Sequence, residues 1–192
     1  TVQRIRSQQV LGDTLLFGQD ADYTYWGMAS GPDDGHLYIA AHPGNGKHQF
    51  LPTATASGVV LRQRLDAQGG FLGGTEDVGG LLGIPFGLNR PSDIAFCAHG
   101  ALHVTSYVEG DEGAAPRRAV IKIDLSSGIV ARLEPTKGEQ LLEGAWGLSF
   151  AQAEEGGGIV CCQVADPDGG LEAAPHPAPL VRIEQCGCGD AK

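Results

Sequence analysis

One supersecondary unit occurs three times along this chain, and that repetition limits the fold more than any other feature. The run Asp93-Ile94-Ala95-Phe96, a turn from Cys97 to Gly100, and Leu102-His103-Val104-Thr105-Ser106 predict two short strands across a tight turn. Gly27-Met28-Ala29, Gly31-Pro32-Asp33-Asp34-Gly35 and Leu37-Tyr38-Ile39-Ala40 repeat the layout. So do Gly147-Leu148-Ser149-Phe150, the turn from Ala151 to Gly157, and Ile159-Val160-Cys161-Cys162. A third strand follows each pair, at Val60-Leu61-Arg62, Val120-Ile121-Lys122 and Leu180-Val181-Arg182, with the basic residues at a common spacing of 60. A fourth follows twice, at Gly70-Phe71-Leu72 and Ile129-Val130-Ala131-Arg132. Short alternating strands with Gly or Asp at the turns are what an antiparallel meander requires, because successive strand residues point to opposite faces.

Four antiparallel strands per repeat predict an all-β chain of β-propeller blades. The expected single domain covers residues 1–192, with blade 1 at about 25–73, blade 2 at about 91–133 and blade 3 at about 145–188. A β-sandwich of unrelated hairpins is the alternative, but tight and long loops alternate in the same order each time. The third unit lacks a fourth strand of its own. Val2-Gln3-Arg4-Ile5-Arg6 stands where an outer strand belongs, so the last blade is expected to be completed by this N-terminal strand or by a neighbour. Known rings hold at least about four blades. The chain is therefore expected either as a piece of a longer protein or as half of a two-chain ring joined by strand addition.

Composition agrees with this class. Of 192 residues 30 are Gly and 11 Pro, and no Gly- and Pro-free window carries a helical apolar stripe, which excludes a helical bundle. No run of ~18 apolar residues predicts a membrane-spanning helix. The formal charge of −10 repels phosphate backbones and anionic lipid, which argues against nucleic acid and membrane surfaces and leaves cations, neutral ligands or basic protein surfaces open. The open blade edges then favour a protein partner or self-association, with no membrane insertion.

The segment Asn89-Arg90-Pro91-Ser92-Asp93-Ile94-Ala95-Phe96, followed by Gly100-Ala101-Leu102-His103-Val104, resembles the blades of NHL and gluconolactonase (senescence-marker-protein)-like six-bladed propellers, and also strictosidine-synthase-like blades. The resemblance implies a fold more than a function. In gluconolactonase-like enzymes an Asn or Asp near this point helps hold a divalent cation. The resemblance thus implies an alternative in which Asp93, with Asp22 and Glu143, binds Ca²⁺ or Mg²⁺, and the ion polarises a lactone carbonyl or activates water. Ser92 stands where that pattern expects Asn, and no accompanying Glu is matched. The plainer expectation is no cofactor, with Asp93 bonded to backbone N–H groups where its strand begins.

In a meander, connections between second and third strands and between successive blades emerge on one face. Here those are the long ones, at 43–57, 108–117, 165–178 and at 7–24, 74–91, 134–145, so all long loops are expected on a shared face, the functional candidate. Its centre is set by the starts of the first strands: Tyr25-Trp26-Gly27, Arg90 with Ser92-Asp93, and Ala145-Trp146-Gly147. Trp26 and Trp146 hold equivalent positions and either grip a partner or pack between blades. Tyr25, Trp26, Arg90, Asp93 and Trp146 form the expected binding set, and the glycines beside the tryptophans are expected to permit close backbone approach.

Other motifs point to less. Gly44-Asn45-Gly46-Lys47 has part of a phosphate-loop pattern, but Ala41 occupies the first Gly position and no Ser or Thr follows Lys47. Asp166-Pro167-Asp168-Gly169-Gly170 lacks the later ligands of a Ca²⁺ loop, and no Gly-x-Ser-x-Gly elbow is present. His36, His42 and His48 are expected at the surface. Cys97, Cys161, Cys162, Cys186 and Cys188 are poorly spaced for zinc, and free thiols slightly favour a reducing compartment. With no convergent acid, base and nucleophile, the expected function is recognition by a rigid, non-catalytic scaffold with an acidic loop-rich face. The metal-dependent hydrolase is the alternative, and an inert structural subunit the third.

Overall fold

A computed structural model describes residues 2–6, 9–15, 23–32, 34–43, 58–97, 100–108, 117–133, 145–152, 158–164 and 180–183, and side chains within 26–32, 34–42, 58–97, 100–107 and 119–133, together with Leu148. The described chain is almost entirely β, arranged in antiparallel sheets that follow sequence order. The first sheet orders β3 (Tyr23–Ser30), β4 (His36–Pro43), β5 (Val59–Leu65) and β6 (Phe71–Asp77) as neighbours. The second does the same with β7 (Asn89–Phe96), β8 (Leu102–Val108), β9 (Arg117–Ile123) and β10 (Val130–Leu133). The third holds β11 (Ala145–Gln152), β12 (Gly158–Val164) and β13 (Leu180–Ile183). Among the described residues these sheets do not close on one another.

Pairing makes the internal repeat concrete. Ala29, Tyr38, Arg62 and Glu76 lie on one cross-strand row of the first sheet. The matching row of the second is Ala95, His103, Lys122 and Ala131, and that of the third is Ser149, Cys161 and Arg182. The three basic residues therefore occupy equivalent places. A bulge also recurs near the start of each first strand, between Tyr25 and Met28, Asn89 and Asp93, and Ala145 and Gly147. A bulge bends its strand and re-aims side chains.

Two expectations are corrected. Residues 2–6 are not the partner of the third sheet: β1 (Val2–Arg6) pairs with β2 (Gln9–Leu15), in a region read as the long loop 7–24. Only two residues separate the strands, so this local hairpin costs far less loop entropy than a distant edge. The 74–91 connection is also no open loop. It contains the end of β6, a short helix α1 (Val78–Leu82), and the buried Phe86 and Leu88. Asp77 caps the helix by accepting from the Gly79 N–H, and Gly83 ends it at a left-handed φ of 66°. Ile84 reaches the turn between β9 and β10, where a Cβ on Gly128 would lie 2.4 Å from Ile84 Cδ1.

That segment helps fill the core between the first two sheets. Tyr38, Ala40 and Val60 meet Ile94, Leu102, Val104, Ile121 and Ile123, with Val78, Phe86 and Leu88 added from the connection. Ile39, Ala41 and Leu61 form a second cluster on the opposite face of the first sheet, which both faces of β4 thereby bury. β7 packs against β3 and β4 and also against β11. Among the described residues no helix is long and apolar enough to cross a membrane.

Tyr38 joins the first two sheets, its ring edge-on to Phe96 at a centroid distance of 5.0 Å and its hydroxyl donating to Asp34. Burial, reinforced by the Asp34 carboxylate, pushes the Tyr38 hydroxyl up to about 12. A pKa raised in the folded state contributes stability that is present below the unfolded value of 10.0 and lost as pH rises through about 12. Tyr38→Phe is expected to cost about 1 kcal/mol at neutral pH and to flatten the alkaline fall in stability, as read by urea denaturation across that range.

Candidate functional site

The bulge in β7 builds the most elaborate polar site among the described residues. Two extra residues between Asn89 and Asp93 interrupt the ladder, and Arg90 takes a φ of 48°, the one positive value at a described non-glycine residue. Such a conformation is held only where its surroundings over-determine it. Here the neighbours do so. The buried Ser106 hydroxyl accepts from the Asn89 N–H at 2.8 Å and lies 3.1 Å from the Asn89 carbonyl. One turn of the bulge further on, the hydroxyls of Ser92 and Thr105 bond at 2.8 Å, both buried. The Ser106 contacts serve main-chain groups at the start of the bulge, and the Ser92–Thr105 bond ties its side chains to β8.

Asp93 sits at the exit of this bulge, between the first strands of three sheets. Its Oδ1 accepts from its neighbour Ile94 N–H at 2.9 Å, and Oδ2 accepts from the Leu148 N–H of β11 at 2.7 Å. From the other side comes Gly27 of β3. A Cβ there would fall 2.3 Å from Asp93 Oδ1, 2.6 Å from its Cα and 2.9 Å from Ile94 N, so only glycine lets the backbones meet. Burial raises the Asp93 carboxyl above its ordinary 3.8, and the Leu148 and Ile94 N–H bonds pull it back in part. The carboxylate links main chains, as one of the two sequence expectations for it holds.

Trp26 lies at the β3 bulge, partly buried, and its Nε1 donates to His42 Nε2 at 3.0 Å with the rings stacked at 6.4 Å. His42 is 2% exposed, which corrects the expectation of a surface histidine. Its place in β4 explains why: strand alternation puts it on the face of Tyr38 and Ala40, which is core. His36 is only partly covered, beside Asp34 at 3.3 Å. Cys97 is buried, as expected of a structural thiol.

The expected binding set is thus brought together in part. Trp26, Arg90 and Asp93 all lie at bulged starts of first strands, and the backbone of Trp146 lies at the equivalent bulge of β11. Tyr25 pairs with Ala41, while the side chains of Tyr25 and Trp146 are outside the described residues, as are Asp22, Glu143 and His48. Among the described residues no three His, Cys, Asp or Glu side chains group as metal ligands. Sequence reading missed Asn89, Thr105 and Ser106, whose signal was polar residues where β7 and β8 otherwise alternate apolar positions.

A cleft of about 390 Å³ is lined by Gly58, Val59, Asp77, Gly79 and Gly80 together with residues 83–88 of the connection. Its one carboxylate, Asp77, is occupied in capping α1. Compared with protein-family models, with curated proteins and with solved structures, the chain matches none.

Proposed function

We propose that the three sheets are blades of a β-propeller and that the chain is a non-catalytic recognition module, offering an acidic, loop-rich face to a protein partner or to another copy. One observation carries this reading. The carboxylate at the convergence of the first strands is engaged on both oxygens by main-chain N–H groups, so its chemistry is spent on holding sheets together. Packing of β7 against β3 and β11, with a bulge near the start of each of the three strands, supports the blade arrangement. A net charge of −10 gives the surface a preference for basic partners and a strong salt dependence of association.

The gluconolactonase-like alternative makes Asp93 a ligand to Ca²⁺ or Mg²⁺, and the two readings separate in one assay. The recognition module is expected to show no lactone hydrolysis with either ion, and partner association that survives a chelator but is lost when residues 165–178 are shortened. Lactone turnover that requires the ion and disappears in Asp93→Asn, with melting unchanged, would overturn it.

A further inference from the structure

We propose that Trp26 and His42 form a proton-operated latch that holds the indole in place at neutral pH and releases it under mildly acidic conditions. An indole N–H only donates, so the 3.0 Å contact requires His42 Nε2 to be an unprotonated acceptor, with the imidazole neutral and its proton on Nδ1. A proton taken up from solvent at Nε2 turns the acceptor into a second donor. Two N–H groups then face each other at hydrogen-bond distance, and the stacked pair must separate. At 2% exposure, a charged imidazole also loses its hydration unless the ring moves outward.

The position of the pair makes it a device and not merely a bond. Trp26 lies within the β3 bulge, next to Gly27, whose backbone abuts Asp93. Release of the indole therefore acts where the first strands of the sheets meet. Among the described residues, the ionisable groups on β4 and on the elements packed against it are His36 and Tyr38 of β4 itself, Tyr23 and Tyr25 of β3, Arg62 and Arg64 of β5, and Arg90 and Asp93 of β7. Asp93 is the one carboxylate in this set, and its oxygens already accept from Ile94 and Leu148. The sign follows from the geometry. The Trp26 contact exists only with the neutral ring, so its contribution to stability is made by the unprotonated imidazole and is lost when Nε2 takes a proton.

The test is the indole N–H resonance of Trp26, followed by NMR in the full chain carrying Trp146→Phe so that one tryptophan remains. Between about pH 7.5 and about 5, bracketing the ordinary imidazole titration, the resonance is expected to move upfield together with the His42 ring signals, while the amides of Leu102 and Ile123 stay put. In His42→Gln, whose amide oxygen keeps an acceptor without titrating, the resonance should stay constant. An indole signal that does not move in the His42 chain, that moves equally in His42→Gln, or that changes only when the core amides collapse with it, would overturn the latch.

Discussion

Gly27→Ala is expected to be the most damaging single-atom change in the first sheet, costing about 3 kcal/mol, the upper part of the range for overpacked sites. The added methyl would lie 2.6 Å from Asp93 Cα and 2.9 Å from Ile94 N, and neither is the end of a flexible side chain. Relief requires β3 to move away from β7 along the bulge, at the expense of the core both strands flank. For a chain of this length such a loss lowers the melting temperature by roughly 6–12 °C. Gly74→Ala is the control: nothing lies within 4 Å of its Cβ and no positive φ is recorded there, so a shift of no more than a degree or two is expected. Equal melting of the two variants would mean that β3 and β7 do not meet as described.

Asp93→Ala is expected to cost about 2–3 kcal/mol, because it strands main-chain donors at Ile94 and Leu148, each worth ~1–3 kcal/mol when left without an acceptor. Asp93→Asn retains one carbonyl oxygen of the same shape and should cost about half as much. The pH dependence carries a distinct signature. Because burial raises the carboxyl above 3.8 in the folded state, folding favours the protonated form. Its contribution is fully present below 3.8 and declines as pH rises through the raised value. Asp93→Asn is expected to remove that decline from a series of urea midpoints measured at acid pH. A decline of the same size in the Asn variant would contradict the assigned environment.

Where the sequence was legible, a physical period made it so. Tight turns rich in Gly and Asp mark the β3–β4 and β5–β6 pairs, and the spacing of Arg62, Lys122 and Arg182 marks equivalent register rows in all three sheets. Bulges break that period, which is why the conformation of Arg90 was hidden: arginine carries no preference for a left-handed backbone. The helix over 78–82 was masked by Gly79 and Gly80, although Asp77 before it and Gly83 after it are ordinary start and stop signals. In β2, Gly12 and Asp13 interrupt the alternation and gave the look of a loop. His42 was readable, since it follows Tyr38 and Ala40 on one face, but an isolated histidine says nothing about burial until its strand partners are known.

The arrangement of the three first strands is open to one spectrum. In a nuclear Overhauser experiment the Leu148 amide should show a cross-peak to the Asp93 β-protons, and the Gly27 α-protons should show one to the Asp93 α-proton, alongside the within-sheet contacts of Ala29 with Tyr38 and Ala95 with His103. The within-sheet peaks without the two that join β3, β7 and β11 would contradict the account, leaving three correctly paired sheets with no common centre.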